Sequence, residues 1–372
     1  MLTQLLRDLV AIDSVNPDLV PGAAGEARIA EFCAAWMARA GIDAAVREVA
    51  PGRANAVGVL EGREPGPTLM FCGHIDTVGV EGMQAPFDPV VRDGRLYGRG
   101  SQDMKGGVAA MMDAARRVKD SWTSGRLIIA CVCDEEFESI GAQAVVKDWT
   151  ADAAVVTEPT DLAVAVAHKG FSWIEASTKG RAAHGSRPAE GRDAILRMGR
   201  LLARLEALDR ELAHREADPL TGPPSLHASS IAGGREWSVY PDAATLRFER
   251  RTVAGETDAS VMAEVEALLH ELRAADPELE IEARLIASRP PYSLAATHEL
   301  PARLARLAQA EGAAAPIAGA SFWTDAAILG EAGIPTVVFG PGGEGLHSIE
   351  EYVKLEEVEM CARALAALAL AR

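Results

Sequence analysis

No stretch of the sequence reaches the roughly 18 consecutive apolar residues that a membrane-spanning helix requires. Positive charge is also short: 37 Lys and Arg against 54 Asp and Glu leave a net charge of −17. That balance excludes the clustered cations needed to bind a nucleic-acid backbone and disfavours anionic membrane surfaces. Cysteine is scarce and odd in number, five in all, without paired metal-site spacing. Reduced thiols in a cytoplasm are the expectation, not a disulfide framework. Cys131 and Cys133 alternate along an apolar run and read as small core residues. No internal repeat or low-complexity tract interrupts the chain. The opening "MLTQLLRDLVAIDSV" has helix-like apolar spacing, not the basic start, apolar stretch and cleavage site of a leader.

What is present is ample core. With 48% hydrophobic and 24% charged residues over 372 positions, the chain reads as a soluble globular protein of two domains. The first half alternates helix-like and strand-like segments. Residues 26–40 form an amphipathic pattern stopped by Gly41, 68–75 a buried strand, 106–119 a helix, 126–133 a strand and 153–159 another. This alternation predicts an α/β layer with a largely parallel sheet. From residue 171 the texture becomes strand (171–180), helix (193–212), strand (242–253), helix (259–275), strand (279–286). A small α+β domain inserted in the chain is predicted, with "ASRPPYSL" (287–294) as the return linker. The buried strand at 333–342 and a helix from about Leu355 complete the first domain.

Polar residues capable of holding a metal fall beyond the carboxyl ends of these strands. His74 and Asp76 follow one strand, Glu135 and Glu136 another, and Glu158 a third. Asp103 lies in the glycine-rich "GRGSQDMKGG" and His347 in "GPGGEGLHS". Strand carboxyl ends are where open α/β sheets bind ligands, and two histidines with several carboxylates suit a pair of zinc ions sharing one carboxylate. Singly, each residue has a bland explanation. An Asp in a Gly-rich loop is ordinarily a turn residue, Glu158 before Pro159 ends a strand, and His347 is a loop histidine. Their joint occurrence at strand ends is what carries the argument.

These residues stand in "CGHIDTV" (72–78), "LYGRGSQDMKGGVAA" (96–110), "DEE" (134–136), "TEPT" (157–160), "GRAAHGSRP" (180–188) and "GPGGEGLHSIEEYV" (340–353). Through them, over nearly its whole length, the chain resembles the co-catalytic zinc amidohydrolases and peptidases. That family includes acetylornithine deacetylase, succinyl-diaminopimelate desuccinylase, aminoacylase and carboxypeptidase G. The resemblance implies a zinc-peptidase-like three-layer α/β/α catalytic domain, residues 1–170 and 288–372, with an inserted α+β (ferredoxin-like) dimerisation domain, residues 171–287. It implies two Zn2+ per subunit, with Co2+ or Mn2+ as substitutes. His74, Asp103 and Glu158 hold one ion, and Asp103, Glu136 and His347 the other. Asp76 orients His74. A cis peptide often follows the family's bridging Asp, here Asp103–Met104.

The resemblance also gives the adjacent glutamates separate tasks. Glu136 becomes a ligand, and Glu135 the general base towards zinc-activated water and then the donor to the departing nitrogen. Neighbouring side chains of a strand point to opposite faces, so a bend beyond Cys133 must turn both towards the metals. Bound cations would relieve the repulsion within the triplet.

In the insert, His184 alone reads as an exposed turn histidine. In dimers of the family, the matching histidine stabilises the oxyanion in the partner's site, which implies a homodimer through the insert. Arg251 matches the family arginine that grips a substrate carboxylate, against the plain reading of a surface residue beside Arg250. "GASFWTDA" (319–326) matches a substrate-pocket segment in which Ser321 and backbone amides help. One departure stands out: "EWSVYPD" puts Ser238 where an oxyanion-assisting Asn is common. The arginines at 181, 187, 192, 197, 200 and 204 read either as a solvated helix face or as an attractor of anionic substrates.

The function so implied is hydrolysis of the amide bond of a small N-acyl amino acid, as in acetylornithine deacetylase or succinyl-diaminopimelate desuccinylase. A dipeptidase or carboxypeptidase using the same two zinc ions is the alternative. A catalytically silent, metabolite-binding member is disfavoured by the presence of all five ligand positions and Glu135.

Overall fold

The computed structural model describes residues 1–371. The described residues divide into two compact units: residues 1–166, 294–319 and 324–371, and residues 167–293 with 320–323.

The first unit is built around a twisted sheet. Its strand order is Asp43–Ala50, Arg53–Glu61, Ser124–Val132, Glu64–His74, Ala153–Val156, Thr336–Val338, Val164–His168. Glu64–His74 runs parallel to both Ser124–Val132 and Ala153–Val156, and Thr336–Val338 runs parallel to Ala153–Val156. Arg53–Glu61 and Val164–His168 pair antiparallel on either side. The sheet is therefore mixed, not largely parallel. The antiparallel strands Arg53–Glu61 and Val164–His168 have no counterpart in the sequence-based reading, so the expectation of a largely parallel sheet rested on the central strands alone. Leu127 to Val132 are all buried, as befits a strand covered on both faces.

Helix ends follow the local sequence. In Ala27–Arg39 the residues Ile29, Ala30, Cys33, Ala34 and Met37 face the core. Gly41 at φ +84° lets the chain turn back, its N–H donating to Ala38 O while Ile42 N–H donates to Met37 O. That pattern is a Schellman stop sealed by the buried Met37 and Ile42. The helix Gly106–Val118 starts against a strand end so closely that a Cβ at Gly107 would collide with the Thr157 carbonyl oxygen. All five cysteines are free and buried. No helix among the described residues is long and apolar enough to cross a membrane.

The second unit is a four-stranded antiparallel sheet in the order Ser225–Gly233, Ala243–Thr252, Gly170–Lys179, Glu280–Arg289. Helices Ala194–Ala213 and Asp258–Ala275 cover one face, burying Ile174, Ala176, Leu246 and Phe248 with Met198, Leu201, Val265 and Leu269. Strand–helix–strand–strand–helix–strand in this order is the ferredoxin-like arrangement. The strand Ser225–Gly233 is absent from the sequence-based reading. It pairs on one side only, and nearly all of "SLHASSIAG" is exposed, so no alternation of apolar residues marks it. Asp193 caps the first helix by accepting from Leu196 N–H, and Thr257 with Ser260 forms a capping box on the second. Arg192, Arg200 and Arg204 reach Glu278, Asp276 and Glu271. They belong to an ion-paired surface and not to a free basic patch.

Candidate metal centre

Six side chains from five segments of the chain meet at the carboxyl ends of the central strands. His74 closes Glu64–His74, and Asp103 sits in the turn Ser101–Lys105, whose Asp103–Met104 peptide is cis. Glu135 and Glu136 follow Ser124–Val132, and Glu158 follows Ala153–Val156. His347, at φ +58°, takes a left-handed backbone conformation in the loop after Thr336–Val338. The bend beyond Cys133 is made by Asp134 at φ +69°, a conformation that Asp tolerates better than most residues.

Two three-residue clusters result, His74–Asp103–Glu158 and Asp103–Glu136–His347, each with ligand-type atoms within 4.8 Å of one another. Asp103 belongs to both, one oxygen to each. Its Oδ1 lies 3.0 Å from His74 Nε2 and its Oδ2 lies 3.2 Å from His347 Nε2. Glu158 Oε1 is 3.7 Å from His74 Nε2, and Glu136 Oε2 is 3.3 Å from His347 Nε2.

Asp76 is completely buried behind His74. Nδ1 of His74 is 3.0 Å from the Asp76 carbonyl oxygen and 3.4 Å from its carboxylate. A proton on Nδ1 leaves Nε2 as the lone-pair donor facing Asp103 and Glu158. The same carboxylate accepts the backbone N–H groups of Glu135 and Glu136, so one residue fixes both the histidine and the adjacent glutamates.

The electrostatics fit cations. Burial, and then the charge of Glu158, raises Glu135 well above the ordinary carboxylate range. Burial followed by surrounding carboxylates likewise raises Glu158 and Glu136. Burial acts against the charge on Asp103, yet hydrogen bonds from His347 and His74 hold it well below its usual range. His347 is pushed up to about 10 by Asp103 and Glu136. For His74, burial is outweighed by Glu158, Asp103 and Asp76, which raise it. Glu136 Oε1 is buried and has no hydrogen-bond partner among the described residues. Two imidazoles and three carboxylates around such an oxygen form a donor set suited to zinc, cobalt or manganese.

Several supporting residues were not singled out from the sequence. Glu351, fully buried, accepts from the N–H groups of Gly100, Gln102 and Asp103 and from Arg99, so it builds the turn that carries the shared aspartate. Its position four residues after His347 was the available signal. Glu351→Gln is expected to weaken metal binding about tenfold, read by competition with a chromophoric chelator. Within the acidic triplet, the charge of Asp134 is met by Arg53 at 2.6 Å and by Asn16 at 2.9 Å. Arg53 also binds Glu26 at 2.6 Å. Asp325, buried at the start of the helix Ala326–Glu331, adds charge that raises Glu135 and Glu158.

The remaining expected residues lie in the second unit. His184 is exposed in a turn, with Nδ1 2.8 Å from Ser186 Oγ, beside Ser238, whose carbonyl accepts Gly185 N–H. Arg251 projects from the open face of the sheet while Arg250 is buried against Glu256 and Glu264. Ser321 is exposed just after the strand Ile317–Ala320.

The family profile described as "Peptidase family M20/M25/M40" matches residues 70–371. An acetylornithine deacetylase of Myxococcus xanthus is 31% identical over 382 residues, covering 98% of this chain and 96% of that protein. Aminopeptidase PepT of Bacillus cereus superposes with a TM-score of 0.80 at 20% identity, covering 100% and 98% of the two chains. A dinuclear metal-binding peptidase of the M20 family from Bacillus subtilis gives 0.76 at 18%, covering 100% and 97%. With that fold and that sequence match, the chain belongs to peptidase family M20/M25/M40 and is a hydrolase of the amidohydrolase and metallopeptidase type.

Proposed function

We propose that the protein hydrolyses the amide bond of a small N-acyl amino acid, with acetylornithine-like or succinyl-diaminopimelate-like compounds as the substrate class. The observation that carries this reading is the pair of three-residue clusters joined through Asp103, with Glu135 half-buried beside them. His74, Asp103 and Glu158 are assigned to one zinc ion, and Asp103, Glu136 and His347 to the other, with cobalt or manganese as substitutes. Ions bound there supply Lewis acidity to the carbonyl and bring the pKa of water near 7.

Glu135 then acts as general base. It takes a proton from the attacking water and passes it to the departing nitrogen. Its low-dielectric surroundings favour the protonated intermediate state of that shuttle. Asp76 keeps His74 in the required tautomer. The partner subunit's His184 is assigned to the oxyanion; in each chain Ser186 engages Nδ1 and leaves Nε2 to donate. Ser238 in place of Asn shortens any auxiliary donor at that point. Arg251 is assigned to the substrate carboxylate and Ser321 to the pocket wall. A cytoplasmic location suits the five free, buried cysteines.

A homodimer through the insert is supported by the unpaired edge of Ser225–Gly233, where Ile231 is 51% exposed, and by Trp237, which is fully exposed. Such an edge is a template for pairing with a second chain. Ile231→Lys with Trp237→Lys is expected to give monomers by light scattering and to lose activity with the dimer. Monomers of full activity would remove His184 from the partner's chemistry.

The reading is tested by amine release from N-acetyl and N-succinyl amino acids and dipeptides with the zinc-loaded enzyme. Turnover of dipeptides alone would reassign it as a peptidase. Bound metal without turnover of any compound would point to a silent member.

A further inference from the structure

The insert's sheet has helices on one face only. Near one end of its open face, cross-strand register places Phe171 opposite Arg251, and Trp173 opposite Glu249. On the other side Ser225 stands opposite Arg251 and His227 opposite Glu249. Alternation along each strand puts all six side chains on the same face.

Glu249 occupies the centre of this group and is only 7% exposed. Both its oxygens are engaged. Oε1 accepts from Arg251 Nε at 2.6 Å, and Oε2 accepts from Trp173 Nε1 at 2.8 Å. His227 Nδ1 lies 3.8 Å from Oε1. The guanidinium is 5.6 Å from the Phe171 ring centre, and Phe171 and Trp173 are 5.0 Å apart. About one third of the Arg251 side chain is exposed. Because Glu249 takes the Nε side, the edge made by the two terminal nitrogens stays available for a second carboxylate, the bidentate geometry that guanidinium favours.

We infer that Glu249 is a positioning residue that aims the terminal edge of Arg251 at the substrate carboxylate and makes the enzyme selective for free acids over their amides. The inference rests on the assignment of Arg251 to that carboxylate. A long, rotatable arginine loses conformational freedom when it clasps an anion. One already held by a buried carboxylate and a flanking ring has lost much of it beforehand. Glu249 therefore acts on binding of the acid and leaves the metal-site chemistry alone.

The experiment uses the metal-loaded enzyme and the N-acetyl derivatives of ornithine, methionine, phenylalanine and glutamate, each as the α-carboxylic acid and as its α-carboxamide. The fastest acid sets the comparison. Arg251→Met is expected to lower kcat/KM for the acid about 100-fold with little effect on the amide. Glu249→Gln is expected to raise KM for the acid about tenfold while kcat changes far less. In the Arg251→Met background, Glu249→Gln is expected to add nothing.

Equal losses on acid and amide from Glu249→Gln, an unchanged KM, or full additivity with Arg251→Met would each overturn the inference and leave the Arg251 assignment standing. An unchanged acid preference in Arg251→Met would overturn both, as would no turnover of any acid. Should Glu249→Gln not fold, Glu249→Asp decides by the same ratio: it retains the charge but draws it back by one methylene, so an intermediate KM is expected and wild-type KM would defeat the idea.

Discussion

Glu135→Gln is expected to cut kcat by roughly 10²- to 10⁴-fold, the span over which a positioned general base acts, with two metal ions still bound. The substitution keeps the shape of the side chain and removes only its basicity. Glu135 belongs to neither donor cluster, and its backbone N–H to Asp76 is untouched, so the metal ligands have no reason to move. KM should change little, because the base interacts with the proton of the attacking water and not with the groups that hold the substrate. Metal analysis and steady-state kinetics on the same preparation decide the matter. A variant with reduced metal content would make Glu135 a ligand, and one with wild-type kcat would make it a spectator. Glu136→Gln provides the contrast, since that carboxylate faces His347 at 3.3 Å and its loss should show first as lost metal.

The separation of these two neighbours also shows how far the sequence could be read. That "DEE" followed a buried strand was visible, and so was the need for a bend. Which residue would make the bend was not. Asp134 does so, and it is held by Asn16 and Arg53. These partners are 118 and 81 residues away, and nothing in the local pattern around "DSVNPD" or "PGRANAV" announces them. Glu351 is a similar case: the loop "GLHSIEEYV" was recognisable, but the closure of its glutamate onto the Asp103 turn depends on how two distant loops pack. The residues proposed as ligands were legible because side-chain chemistry coincides there with a strand end, as at His74 and Glu158, or with a glycine-rich loop, as at Asp103 and His347. Their supports were not, because a buried carboxylate declares its role only through the donors folded around it. The strand Ser225–Gly233 was missed for the opposite reason: it buries almost nothing and so leaves no hydrophobic trace.

Asp103→Ala should have the broadest consequence of any single substitution, because both clusters lose a ligand at once. Bound metal is expected to fall from two ions to none at micromolar free zinc, and hydrolysis to fall below detection. His347→Ala, in contrast, leaves His74, Asp103 and Glu158 together and is expected to retain one ion. Thermal unfolding separates the cases further. Ligand binding stabilises a folded protein by about 4 kcal/mol when free ligand exceeds its Kd a thousandfold. Chelation should therefore lower the wild-type Tm by several degrees, and zinc, cobalt or manganese should restore it. The Tm of Asp103→Ala should respond to neither treatment. Its metal-free form should nonetheless be no less stable than metal-free wild type. Removing Asp103 takes away a partner of His74 and His347, but it also takes away a half-buried negative charge that raises Glu136 and Glu158. A metal-free Asp103→Ala much less stable than metal-free wild type would mean that the acidic cluster is held together by its histidines alone, and the case for cations at its centre would have to rest on metal analysis.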